Sequence, residues 1–217
     1  MQTGTKSDKR PRGRPRAYDP DAALASARDA FWSAGYSATS LDDLGAATGM
    51  NRPSLYAAFG DKRTLYLKVL ERYSREGRVG IEAALAGTRP LREELRQVYK
   101  LLLAMYTSGD GQARGCFLVG TALAEAVSDA GVREAFAASL RELDLVFERR
   151  FRRAREQGEL DGDAQPAALG RFAAGIAHSL AIRARAGEAP KALERDAAAA
   201  TDLLCGSGKS AKVPGRR

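Results

Sequence analysis

Histidine and cysteine are nearly missing from this chain: His178 is the one histidine among 217 residues, and Cys116 and Cys205 are the two cysteines. A metal centre needs several nitrogen, sulfur or carboxylate donors at ligand spacing. No such spacing recurs, so neither a metal nor a cofactor is expected. A catalytic nucleophile needs a base and an orienting group. Cys116 with His178 is the only candidate pair, no third member accompanies it, and no Gly-x-Gly-x-x-Gly follows a strand pattern, so no catalytic residue is assigned and an enzyme is not expected. Two cysteines make no disulfide framework, which points to a reducing cytoplasm. A run of about 18 apolar residues, as a membrane span requires, is also lacking, as is an apolar amino-terminal segment of signal-peptide type. The expectation is a cytoplasmic protein with no membrane partner.

What is present is an apolar content of 44%, enough for one small and one larger domain. A formal net charge of +8 suggests nucleic acid, but its placement matters. Lys6, Lys9, Arg10, Arg12, Arg14 and Arg16 face one acid, Asp8, within residues 1–16, and Lys209, Lys212, Arg216 and Arg217 close the chain. The remainder is nearly neutral. Between Asp19 and Lys62 three bases, Arg28, Arg52 and Lys62, stand against six aspartates. Phosphate attraction must come from a few aimed groups and from the arm. There, Arg12-Gly13-Arg14-Pro15 resembles the core of an AT-hook, which lies in a narrow A·T-rich minor groove. The alternative is a solvated basic tail.

The stretch Thr39 to Lys62, T-S-L-D-D-L-G-A-A-T-G-M-N-R-P-S-L-Y-A-A-F-G-D-K, carries the signals of a helix-turn-helix. Thr39 or Ser40 can cap the first helix, with Asp42 or Asp43 in its first turn. Leu41 and Leu44 share its inner face. Gly49 suits a positive-φ helix end, and Asn51 can cap the second helix. Steps of about 100° put Leu55, Ala58 and Phe59 on one arc and Arg52, Pro53 and Tyr56 opposite. Pro53 in the first turn gives a rigid start, and Asp61 can cap the helix that follows.

At these residues the sequence resembles the TetR/AcrR family of bacterial transcriptional regulators, whose pattern runs T-x-x-x-(I/L)-A-x-x-x-G-(V/M)-x-x-x-x-(L/I)-Y-x-x-F-x-x-K. One departure is Gly45 in place of the usual alanine, a cost of about 1 kcal/mol in helix propensity. The resemblance implies a homodimeric repressor on an inverted-repeat operator of double-stranded DNA, released when a small-molecule effector binds the larger domain. It also implies that Arg52, Pro53, Ser54 and Tyr56 face the major groove and that Thr39, Ser40 and Lys62 hold phosphates. Chemically, Arg52 suits guanine, Pro53 a thymine methyl and Ser54 either kind of base edge, while Tyr56 suits a phosphate. Two other readings stay open, a repressor that senses electrophiles or oxidants through Cys116 and a ligand-independent architectural DNA-binding protein.

Periodicity gives an all-α chain of about nine helices, divided into a basic arm at 1–17, a helix-turn-helix domain at 18–64, a ligand-binding and dimerisation domain at 65–205 and a basic tail at 206–217. Arm and tail are expected to be disordered without DNA. Leu24, Ala27, Phe31 and Ala34 mark the inner face of the first helix. The apolar run from Arg114 to Val127 is expected to form a sixth helix in the middle of the larger domain. The arginine-rich end of the seventh, Arg149 to Arg155, is expected to be a solvated face. Tyr99, Tyr106, Cys116, Phe117, Thr121, Phe147, Phe172 and His178 are candidates for a ligand pocket, although each is also ordinary core. Cys116 is expected to be a buried, inert thiol; Arg114 and a helix start beside it leave open the alternative of a lowered thiol pKa. Helices eight and nine are rich in small residues. The family pairs them with their copies as a four-helix bundle, which makes Gly170, Ala174, Ala177, Leu193, Leu203 and Leu204 candidate dimer contacts.

Overall fold

The computed structural model describes residues 18–86, 89–109 and 112–206, and all regular structure among them is helical. Arg12 and Arg14, with the rest of the proposed arm, lie outside the described residues, as does the tail beyond Gly206.

Three short helices form a head. Helix α1, Pro20–Ala34, begins where the Asp19 carboxylate accepts the Asp21 amide at 2.9 Å, with proline in its first turn, and stops at Gly35 with φ of 83°. Its buried residues are Ala23, Ala27, Phe31 and Trp32. The inner stripe is therefore rotated from the expected Leu24 and Ala34, because Trp32 packs edge-on to Tyr73 and Phe117 and its indole N–H donates to the Arg114 carbonyl at 3.0 Å. In α2, Leu41–Thr48, Ser40 is the cap: its hydroxyl accepts the Asp43 amide at 3.1 Å, and the Asp43 carboxylate accepts the Ser40 amide at 2.8 Å. Helix α3, Arg52–Phe59, is capped by Asn51, whose side-chain oxygen accepts the Ser54 amide at 2.9 Å. Leu44, Met50, Leu55 and Phe59 are buried between these helices.

Gly49 turns the chain between α2 and α3 in the left-handed region, at φ 68°. Four residues earlier, Gly45 has a packing role that its helix propensity hides. A Cβ there would stand 2.9 Å from the Met50 carbonyl oxygen, too close unless the turn opens. Propensity alone would make Gly45→Ala stabilising by about 1 kcal/mol. Because the clash opposes that gain, thermal unfolding followed by circular dichroism should show a Tm unchanged or lowered. A rise of several degrees would mean that the turn yields freely.

Helix α4, Lys62–Leu85, spans 24 residues, about 36 Å, and the boundary expected after residue 64 falls inside it. Asp61 caps it through the Thr64 amide at 2.7 Å. Its first half buries Leu65, Tyr66, Val69 and Leu70 and its second Ile81 and Leu85. Tyr66 meets Phe31 and Tyr36 of the head and Phe117 of the body. Polar ties run beside this contact: Arg63 grips Asp129 through two hydrogen bonds of 2.5 and 2.8 Å, and the Ser37 hydroxyl donates to Glu125 at 2.6 Å.

The body comprises α5, Leu91–Tyr106, a π-helical turn, Leu118–Ala122, running into a short α6, Leu123–Glu125, then α7, Ala130–Glu156, α8, Pro166–Arg185, and α9, Pro190–Leu204. The expected central helix is thus split. In the wider π turn the Thr121 hydroxyl accepts from Tyr66 at 2.7 Å and donates to the Phe117 carbonyl at 2.9 Å. Phe117, Leu118 and Ala122 point inward, while Leu123 and Val127 are exposed.

Two further expectations change. Gly170 is packed within the chain, since a Cβ there would meet the Glu148 amide nitrogen at 2.8 Å and the Asp144 carbonyl at 2.9 Å; it is what lets α8 lie so close to α7. Ala174, Ala177, Leu193 and Leu204 are buried in the same monomer, which leaves Leu203, 82% exposed, as the one outward residue of the six assigned to a dimer face. The arginine-rich end of α7 is only partly a solvated face. Arg150 is buried and pairs with the buried Glu94 of α5 and, at 2.9 Å, with Glu159, and it donates to the Arg89 carbonyl at 3.2 Å. Arg153 donates to the Leu85 carbonyl at the end of α4. The cluster ties α4, α5 and α7 together.

Candidate functional site

The outer faces of α2 and α3 carry one candidate site. Arg52, Pro53, Ser54 and Tyr56 are all exposed, opposite the buried Leu55 and Phe59. The rigid, capped start of α3 leaves its amino end open to solvent. Arg52 is held by Asp42 of α2 in a two-pronged ion pair, Nε to Oδ1 at 2.8 Å and Nη2 to Oδ2 at 2.6 Å. These bonds keep the Asp42 carboxyl below the usual carboxylate range, as bonds from Ser40 do for Asp43. Both remain charged at neutral pH. Lys62 lies at the edge of this surface, its ammonium 4.4 Å from the centre of the Tyr36 ring. Ser40 is exposed, but Thr39 is not: its side chain is buried and its hydroxyl donates to the Gly35 carbonyl at 2.6 Å. The hydroxyl expected to hold a phosphate serves instead to brace the α1–α2 turn.

A second candidate site is a cavity of about 70 Å³ between α4, α5, the π turn, α7 and α8. Tyr106, Cys116 and His178 line it. The other candidates do not line it. Phe117 and Thr121 pack toward the head, and Tyr99 donates to the Ala173 carbonyl at 3.1 Å and stacks on Phe147 in the core. Phe172 is 65% exposed on the outer face of α8. Polar groups not expected from the sequence complete the wall: the Tyr73 hydroxyl, the Ser74 and Ser139 hydroxyls 2.7 Å apart, and Arg78, whose Nε lies 3.5 Å from Glu142. Two serines facing each other from the inner sides of α4 and α7 were the available signal.

Cys116 is a buried thiol, the default of its two expected roles. Burial pushes its thiol pKa up, and the nearest hydroxyl, that of Tyr73 at 3.5 Å, only partly opposes this. Arg114 lies against the Trp32 ring at 5.3 Å and within 3.3 Å of Asp29 rather than at the sulfur. The Leu118 and Val119 amides at the helix start also favour the thiolate, but burial outweighs them and the expected cation is turned away, which does not favour thiol sensing. His178 is likewise desolvated, which lowers its pKa against a weaker pull from Asp144, so the imidazole is neutral at neutral pH.

Comparison with known proteins agrees with this layout. Residues 23–69 match the model described as bacterial regulatory proteins, tetR family, and residues 91–200 match the tetracyclin repressor-like C-terminal domain. The chain is 40% identical over 116 residues to the transcriptional repressor ComR of Escherichia coli strain K12, covering 53% of this chain and 55% of ComR. It is 36% identical over 115 residues to the repressor BdcR of the same organism, covering 53% and 58%. It thus spans little more than half the length of these two relatives. Among solved structures, a cysteine-substituted form of the TetR family regulator CifR complexed with 26-bp operator DNA superposes with a TM-score of 0.74 at 34% identity, over 87% of this chain and 98% of that one. With both halves matched in order and the fold shared along nearly its whole described length, the chain belongs to the TetR family of bacterial transcriptional regulators and not to a class of enzymes.

Proposed function

We propose that this protein is a cytoplasmic homodimeric repressor that reads an inverted-repeat operator with α3 and leaves it when a small molecule occupies the body cavity. The observation that carries the reading is the amino end of α3, where a capped, proline-stiffened helix presents Arg52, Pro53, Ser54 and Tyr56 to solvent. Arg52 offers a fork for guanine, Pro53 a surface for a thymine methyl, Ser54 a bond to either base edge, and Tyr56 a hydroxyl for phosphate. Ser40 and Lys62 supply phosphate contacts at the rim. Arg12 and Arg14 supply minor-groove attraction, which an acid-rich head needs. Two-fold pairing would set two α3 helices about 34 Å apart, one turn of DNA.

Dimerisation uses the outward face of α8 and α9, where Phe172, Ile176 and Leu203 line an open apolar groove. That face replaces the buried alanines and Gly170 expected from sequence. Effector binding uses the cavity beside Cys116, whose apolar walls and few hydroxyls suit a small molecule with one or two polar groups once its volume of about 70 Å³ widens toward the several hundred that such ligands fill. The Ser37–Glu125 tie joins the head to α6, and the Arg63–Asp129 tie joins α4 to the cap of α7, a helix that lines that cavity, which gives an occupied cavity a route to α3.

The test is to recover bound fragments of the source genome with the full chain, footprint them, and screen small molecules by thermal shift and then by release of the footprint. One palindrome protected and released supports the proposal. Binding to unrelated sequences alike, with no releasing compound, would instead mark an architectural protein. On the recovered site, Arg52→Ala should cost about 1–3 kcal/mol and relax one base position, whereas Lys62→Ala should weaken all sequences alike. Anisotropy titrations on operator and random duplex separate the two. Equal loss on both duplexes for Arg52→Ala would remove Arg52 from base reading.

A further inference from the structure

Asp42 determines what Arg52 is free to do. A guanidinium carries five N–H donors along two useful edges, a side edge of Nε with Nη2 and an end edge of Nη1 with Nη2. The Asp42 carboxylate takes the side edge with both oxygens. The end edge remains open, with one hydrogen on each Nη directed forward. That fork matches O6 and N7 of guanine in the major groove. The pair adds little to the fold, because the side chains are 57% and 73% exposed and water screens such pairs. Leu44, Leu55 and Phe59 already hold α2 against α3. A carboxylate on this face also repels phosphate, a cost imposed on every sequence equally.

We propose that Asp42 is a specificity-determining residue of the DNA-reading surface: it holds Arg52 by its side edge so that the end edge meets a guanine, while its charge lowers affinity for all DNA alike. The proposal rests on base reading by α3. Asp42 acts through Arg52 and is a positioning residue. It raises discrimination by reducing the orientations Arg52 must give up at the correct base.

The experiment uses the full chain and a double-stranded library randomised over about three helical turns, sequenced after selection by wild type, Asp42→Ala, Asp42→Asn and Arg52→Ala. Asp42→Ala keeps the Ser40–Asp43 capping box, and a circular dichroism melt confirms its fold. Wild type should select guanine at one position per half-site. Asp42→Ala should lower that preference about tenfold and tighten binding to a random duplex about two- to fivefold, with Asp42→Asn between the two. An unchanged preference in Asp42→Ala would overturn the proposal by reducing the pair to a surface contact, and a sharper one would overturn it by showing that carboxylate and base compete for Arg52. Loss of the preference in Arg52→Ala but not in Asp42→Ala would leave α3 as the reader and remove only Asp42. Retention of every preference in Arg52→Ala would overturn base reading by Arg52 and the proposal together.

Discussion

Glu94→Ala is expected to lower the stability of the folded chain by about 3–5 kcal/mol, the usual consequence of removing one member of a buried ion pair. Glu94 is completely buried in α5, and the Arg150 side chain is 2% exposed in α7. Without Glu94, Arg150 keeps its charge inside the body with only Glu159 and the Arg89 carbonyl to receive it. For a chain of this size the loss corresponds to roughly 6–20 °C in Tm, readable by calorimetry. The cost lies in the orphaned charge rather than in any large gain from the pair, since one Glu94 carboxylate oxygen, Oε1, already lacks a hydrogen-bond partner among the described residues. The double replacement Glu94→Leu with Arg150→Met should therefore recover much of the stability. A Glu94→Ala melt within a degree or two of wild type would show that water reaches Arg150 and that the pair is not a buried one.

Phe172→Glu combined with Leu203→Glu should give a folded monomer that binds operator on the order of 100-fold or more weakly. Both side chains project from the chain, at 65% and 82% exposure, so the monomer's own packing does not depend on them. In a two-fold interface each substitution appears twice, which sets carboxylates against one another across an apolar seam. The DNA penalty arises because two tethered heads bind a palindrome as one event, and the second half-site is lost when the tether goes. Light scattering reports the mass and anisotropy the affinity. A variant that stays dimeric would place the interface elsewhere on the body.

The head was legible in the sequence almost residue by residue. Its caps and turns are local, and Asp19, Ser40, Gly49, Asn51 and Asp61 each act within a few residues of themselves. Thr39 was misjudged because its hydroxyl looks back to Gly35, a choice between two local partners that spacing cannot rank. The body was legible as helices but not as contacts. Gly170, Ala174 and Ala177 have the composition of a close helix contact, yet composition does not say whether the approaching helix is α7 of the same chain or α8 of another. Arg150 shares its sequence neighbourhood with the more exposed Arg149 and Arg152, and only the packing of α5 against α7 separates them. The cavity depends on Tyr73, Ser74 and Ser139 meeting across distant segments. The π turn that shapes its wall leaves no periodic signature in five residues.

The passage of α4 through both halves has a thermodynamic meaning. Residues 18–64 would lack Leu65, Tyr66, Val69 and Leu70, the side chains that close the head's own core, and all of these belong to one buried cluster that continues into the body. A head cut at residue 64 would therefore expose part of its own core. A shared core of this kind couples the opening of one half to the other, so a compound that raises the free energy of opening in the body is expected to raise it in the head as well.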